Sequence, residues 1–150
     1  MISLATIDNY EEVKNIFKKY KHLFPHIRQD YIKAMIEKQQ CVFEDGVVIM
    51  FNHYKRDNKI GNVVAPRNSW TIKQIVADIQ GNGSASKVLE KFLRFVNSDV
   101  YLSVRSDNHR ARQFYRKNNF QQLGTINWKS GLIEGSVYVW RCSKSTEVFA

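Results

Sequence analysis

Residues 70–97, WTIKQIVADIQGNGSASKVLEKFLRFVN, carry the reading that decides the fold. The β-rich opening predicts a strand over 70–76. Val88, Leu89, Phe92, Leu93 and Val96, spaced three and four apart, predict an amphipathic helix over 85–96. Between them lies Gln80-Gly81-Asn82-Gly83-Ser84-Ala85-Ser86. Its two glycines let the backbone take positive φ and leave no Cβ in the way of an approaching ligand. N–H groups at the helix start and the positive end of the helix dipole favour an anion. A phosphate-bearing ligand held by backbone amides between Gln80 and Ser86 is the first expectation.

Toward the N-terminus, Asp8 is placed to cap a helix over 10–23, with Tyr10, Val13, Ile16, Phe17 and Tyr20 on one side and Pro25 beyond it. A second amphipathic helix is predicted over 28–38, with Tyr31, Ile32, Met35 and Ile36 on its apolar face. Cys41-Val42-Phe43-Glu44, then Asp45-Gly46, then residues 47–54 read as a hairpin, because Asp-Gly fits a type I′ turn. A further strand is expected over 60–65. Pro66-Arg67-Asn68-Ser69 then turns the chain into the 70–76 strand.

Toward the C-terminus, a strand is expected over 99–104 and a helix over 109–118, capped by Ser106-Asp107-Asn108. Strands over 121–128 and 135–141 flank a turn at Lys129-Ser130-Gly131. Residues 143–150 read as a tail, so the expectation is one domain over 1–142.

The chain has 150 residues, with 23 Lys/Arg against 14 Asp/Glu. That length buries a core without staples, and the apolar fraction argues against disorder. Residues 1–69 carry 11 Lys/Arg and 8 Asp/Glu; residues 70–150 carry 12 and 6. The half with the glycine-rich turn is the more basic, which suits an anionic ligand or an acidic or nucleic-acid partner. No basic leader or long apolar run is evident, so a soluble cytoplasmic protein is expected. Cys41 and Cys142 lack metal-ligand spacing; they are read as thiols, and no metal site is expected.

Three phosphate-binding patterns compete for the turn. A P-loop needs lysine directly after its last glycine, where Ser84 stands. A dinucleotide fingerprint finds Ser86 at its third small position and antiparallel strands before it instead of an opening βαβ unit. The third pattern, Gln/Arg-x-x-Gly-x-Gly/Ala, is met by Gln80-Gly81-Asn82-Gly83-Ser84-Ala85. With its strand and helix it resembles the pyrophosphate motif of the GNAT superfamily of acetyl-CoA-dependent N-acetyltransferases. Independent support comes from SDNHRARQFYRKNNF, where Asn108, Ala111, Tyr115, Asn119 and Phe120 are similar to the family's second motif. Asn119 replaces the usual glycine, and Asn is the best substitute at a left-handed helix end.

The resemblance implies an α/β (α+β) fold with a central mixed, mostly antiparallel sheet of about seven strands and about four helices. It implies transfer of acetyl from acetyl-CoA to an amine by direct attack. Backbone groups of Ile75 and Val76 would hold the pantetheine arm and polarise the thioester. Amides of Gln80, Gly81, Asn82, Gly83, Ser84, Ala85 and Ser86 would hold the pyrophosphate, Asn108 would contact the cofactor, and Tyr115 would protonate the departing thiolate.

The residues themselves leave the general base open among Glu44, His53, Asp78 and ordered water. Lys73 stands where some relatives carry an acid. Arg105, His109, Arg112 and Arg116 follow one helix face, either solvated or drawing an acidic cofactor or substrate. The acceptor is open among a small amine, a protein amine and a nucleobase. The alternative function is a non-catalytic CoA-binding or nucleic-acid-binding module on the same fold.

Overall fold

The computed structural model describes residues 1–142, and the expected tail over 143–150 lies outside them. Its elements are α1 (Tyr10–Lys19), α2 (Gln29–Glu37), β1 (Cys41–Glu44), β2 (Val47–His53), β3 (Asn58–Ile60), β4 (Val63–Ala65), β5 (Trp70–Ala77), α3 (Ser84–Val96), β6 (Val100–Arg105), α4 (His109–Lys117), β7 (Gln121–Trp128) and β8 (Ile133–Trp140). Six strands hydrogen-bond in the order β1-β2-β5-β6-β8-β7, and β3 and β4 form a separate two-stranded sheet. β1–β2, β6–β8 and β7–β8 run antiparallel, while β5–β6 is parallel. This is the expected mixed, mostly antiparallel α/β architecture with four helices. The contacts divide the chain into two units, Met1–Phe51 with Lys73–Phe95, and Asn52–Ile72 with Val96 onward.

In the first unit the periodicity of the chain sets the layers. Val48 and Met50 of β2 pack with Val13, Ile16 and Phe17 of α1 and with Ile32, Met35 and Ile36 of α2. Phe51 points the other way along the strand and meets Phe92 of α3, ring centroids 5.1 Å apart. β2 is therefore buried on both faces, which is why Val47–Phe51 reads as a continuous apolar run and not as an alternation. Asp45 and Gly46 both have positive φ, 50° and 73°, as a type I′ turn requires.

Helix α1 ends at Lys19, short of the expected residue 23. Past it, half-buried Tyr20 packs on the core and gives its hydroxyl to the Asp78 carbonyl, while Lys21, His22 and Leu23 are exposed and add no buried face to extend the helix. Its start also differs from the Asp8 cap: a 3₁₀ turn over Ile7–Asn9 precedes it, fastened by the Thr6 N–H donating to Asn9 Oδ1 at 2.8 Å.

In the second unit, β8 pairs with β6 from Val100↔Trp140 to Arg105↔Gly135 and with β7 on its other side. The strand expected over 60–65 is instead a hairpin that turns at Gly61 and Asn62. Val63 and Ala65 of this hairpin bury against Tyr101, Val137 and Val139. The Asn62 side chain ties it to β7 by accepting from the Thr125 N–H at 2.8 Å.

Candidate active site

The first unit presents the end of β5 and the loop into α3. The parallel ladder of β5 with β6 comprises two pairs, Trp70↔Val100 and Thr71↔Tyr101, and β5 continues to Ala77. Ile75 is half-buried; Val76 is buried and belongs to the core shared with α1 and α2. Gln74 accepts from the Tyr31 hydroxyl of α2 at 3.0 Å, fixing the strand from the same side.

Asp78 anchors the loop where it leaves the strand. Its N–H donates to Gly46 O at 2.8 Å, and its carbonyl accepts from Lys19 Nζ and from the Tyr20 hydroxyl, each at 2.7 Å. Its carboxylate accepts a further bond from Lys19 Nζ at 3.1 Å. Four donor–acceptor contacts at one residue thus hold the loop entrance to the end of α1 and to the β1–β2 turn. Lys19 and Tyr20 lie 59 and 58 residues upstream and carry no local signal of this role.

Past that anchor, Gly81 and Gly83 both take φ of 82°, and a Cβ built on either meets nothing within 4 Å. Gly81, Asn82 and Gly83 are exposed; Gln80 and Ser84–Ser86 are half-buried. Asn82 Oδ1 accepts from the Ser84 N–H at 3.0 Å and from its hydroxyl at 2.7 Å, so the Ser84 amide is already engaged internally. No acidic residue stands in the first turn of α3, in contrast to Glu11 and Glu12 in α1 and Asp30 in α2. The positive end of the α3 dipole is left uncompensated by its own side chains.

The second unit presents α4. Asn108 is its N-cap, with Oδ1 accepting from the Ala111 N–H at 3.1 Å, so this side chain holds the helix start whatever else it contacts. Tyr115 is buried at 6 % exposure, its ring edge-on to Phe114 and Phe120 at 5.3 and 5.4 Å. Burial pushes its hydroxyl above the ordinary tyrosine value, so the group keeps its proton at neutral pH. Asn119 takes φ of 70° and the Phe120 N–H donates to Tyr115 O at 2.9 Å, the left-handed helix end that asparagine was expected to supply.

The three side chains weighed as a general base all have other contacts. Glu44 accepts from the Ser3 N–H at 3.0 Å and is ion-paired with Lys91, which holds its carboxyl below the usual range and weakens it as a base. Asp78 is the loop anchor. His53 lies flat on Trp70, centroids 4.2 Å apart and planes 4° off parallel. Trp70 is six residues before Val76 on β5, about 20 Å at the rise of a strand. Arg105 leaves the expected cationic stripe of α4 because Asp107 takes its guanidinium in two bonds, at 3.1 and 2.9 Å. Among the described residues no group of three His, Cys, Asp or Glu side chains is placed to hold a metal.

No curated protein matches the chain in sequence. Solved structures match its fold over almost their whole length. An acetyltransferase of the GNAT family from Streptococcus agalactiae superposes with a TM-score of 0.77 at 12 % identity, covering 94 % of each chain. Arabidopsis thaliana NAA60 in complex with acetyl-CoA gives 0.69 at 13 % identity, covering 94 % of this chain and 98 % of that one. The ribosomal-protein-S18-alanine N-acetyltransferase of Escherichia coli gives 0.63 at 14 %, covering 95 % and 93 %. At such identities the likeness is one of fold. The sequence itself matches the Acetyltransferase (GNAT) family over residues 10–120. The chain belongs to the Acetyltransferase (GNAT) family.

Proposed function

We propose that residues 1–142 work as one N-acetyltransferase domain, moving acetyl from acetyl-CoA to a primary amine by direct attack. The observation that carries this reading is the open backbone of the glycine loop, where a Cβ at Gly81 or Gly83 would project into empty space. A pyrophosphate fits such a cradle. Backbone N–H groups come within hydrogen-bond reach of an anion only where no side chain intervenes, and the adjoining helix start carries no competing carboxylate.

In this reading, amides among Gln80, Gly81, Asn82, Gly83, Ala85 and Ser86 bind the pyrophosphate, and the engaged Ser84 amide stiffens the turn. Backbone groups of Ile75 and Val76 meet the pantetheine arm. Successive residues of a strand point their N–H to opposite edges, so one of the two serves a given edge. The thioester supplies an activated acyl carbon. The neutral amine nitrogen forms the new C–N bond as the C–S bond breaks, and the electron pair of that bond leaves on sulfur. Tyr115 gives its proton to the thiolate, acting where charge develops in the transition state. The proton shed by the nitrogen then passes through water to restore the Tyr115 hydroxyl. The Asn108 amide group, beyond its capping oxygen, retains two N–H donors for the cofactor.

Calorimetry with acetyl-CoA, followed by free-thiol release against a panel of small amines, peptide N-termini, lysine peptides and nucleobases, tests this. Micromolar binding and thiol release with at least one amine are expected. Failure to bind at tens of micromolar would sink it, and binding without turnover would make the chain a CoA-binding module.

A further inference from the structure

Charge is divided very unequally between the two units. Asn52–Ile72 with Val96 onward carries 12 Lys/Arg against 5 Asp/Glu, whereas the other unit carries 11 against 9. Helix α4 concentrates it: HRARQFYRK has four Lys/Arg, one His and no carboxylate in nine residues. At about 100° per residue, His109, Arg110, Arg112, Gln113, Arg116 and Lys117 occupy one arc of about 160°. The buried Tyr115 and half-buried Ala111, Phe114 and Asn118 fill the opposite side.

Two ion pairs join side chains within this unit, Arg105–Asp107 and Arg141–Asp99, and among the described residues neither involves α4. Arg112 is half-buried and held in place: Nε donates to the Tyr138 hydroxyl at 3.2 Å and Nη1 to Ser106 O at 2.9 Å. A guanidinium fixed by neutral partners keeps its whole charge and presents its remaining donors in one orientation. It lines a shallow concavity of about 230 Å³ with His109, Gln113 and Arg116. The arc offers no exposed apolar side chain, so a partner gains nothing here by burying aliphatic surface.

We infer that the α4 face is a docking surface for the phosphate backbone of nucleic acid. Charge complementarity selects the occupant. Three of the four permanent cations are arginines, whose planar forks match phosphate oxygens, and the absence of an apolar anchor disfavours an acidic peptide. The surface lies on one unit alone and the test is run without acetyl-CoA, so nucleic-acid retention and the proposed activity are read separately.

The test is retention of duplex DNA and of single-stranded RNA by the whole chain, without acetyl-CoA, over a range of salt. If Arg110, Arg112, Arg116 and Lys117 each neutralise one phosphate, log K on duplex falls against log salt with a slope of about −3.6. Between 50 and 200 mM salt that slope lowers affinity about 150-fold. The triple variant R110Q/R116Q/K117Q changes exposed side chains only and should flatten the slope to about −0.9. K18Q/K33Q/K38Q, with the same loss of charge on exposed residues of the other unit, should leave the slope unchanged. Circular dichroism confirms that both variants fold. No retention at low salt overturns the inference, as does equal flattening by the two triples. So does binding to anionic lipid vesicles or polyglutamate as tight as binding to nucleic acid.

Discussion

Gly83→Ala separates strain in the chain from obstruction of a ligand, because another glycine supplies the control. Gly83 sits at φ 82° and Gly131, in the β7–β8 turn, at φ 90°, and a Cβ on either meets nothing within 4 Å. The folded chain therefore resists an alanine at both positions through backbone conformation alone, about 1–2 kcal/mol for a left-handed L-residue. In a chain of this size that lowers Tm by roughly 2–8 °C, similarly for the two variants. Their effects on acetyl-CoA should differ. At Gly83 the methyl projects where an anion has to approach the backbone, and loss of one charge-assisted hydrogen bond costs about 1.5–3 kcal/mol, or about 10- to 150-fold in Kd. At Gly131 the Kd should stay within about twofold. Denaturant unfolding and calorimetry on both variants read the two quantities. Equal destabilisation with a weakened Kd only for Gly83→Ala is the expected pattern. An unchanged Kd at Gly83, or the same weakening at Gly131, refutes the cradle and with it the observation that carries the proposed function.

Tyr115→Phe should lower kcat by about 100-fold or more while leaving the acetyl-CoA Kd nearly unchanged, since in the proposed reaction the lost proton goes to the leaving thiolate and the ring stays in its aromatic pocket; an unaltered kcat removes the residue from the mechanism. Glu44→Gln should destabilise the chain at neutral pH and flatten its acid limb. The folded carboxyl titrates below its unfolded value, so its contribution is present above that value and lost as pH falls through the folded one. An identical acid limb in the variant would show the Lys91 pair to be inert. Burial raises Cys41 to about 12 and Tyr115 above its ordinary value, so both stabilise the fold fully below their unfolded values, near 9 and 10, and that stability drains away as pH rises beyond them. Each group adds up to about 1.4 kcal/mol per pH unit within its own window. Stability measured between pH 9 and 10 in Cys41→Ala should slope less than in the parent chain, and parallel slopes would contradict the burial argument.

What was legible in the sequence was whatever is encoded over a dozen residues or fewer. The Asp45-Gly46 turn, the loop between β5 and α3, the Asn108 cap and the left-handed Asn119 are each specified by neighbours in the chain, and each stands where its local chemistry requires. Errors came where a distant segment decides the outcome. Residues 60–65 have β propensity throughout, but the Asn62 bond to Thr125 and the burial of Val63 and Ala65 fold them into a hairpin on a sheet built mostly from later sequence. Helix α1 stops at Lys19, short of the expected residue 23, for a similar reason. Tyr20 continues the apolar spacing, yet its hydroxyl is drawn to the Asp78 carbonyl, 58 residues away.

The general base shows the same division between residue type and residue occupation. Glu44, His53 and Asp78 qualify by type, since each is a proton acceptor near a strand end. Occupation disqualifies them on different grounds. Glu44 has its charge stabilised by Lys91 and the Ser3 amide, so taking up a proton would forfeit the ion pair and weaken the amide bond. The Asp78 carboxylate accepts from Lys19 Nζ, a contact that protonation would weaken, while the backbone bonds of the same residue hold the entrance of the loop. His53 is positioned by a stacked indole at the opposite end of β5 from the loop. A sequence shows that a carboxylate or imidazole exists. Only the contacts show whether its lone pair is available, and in these three side chains the fold already uses or misplaces it.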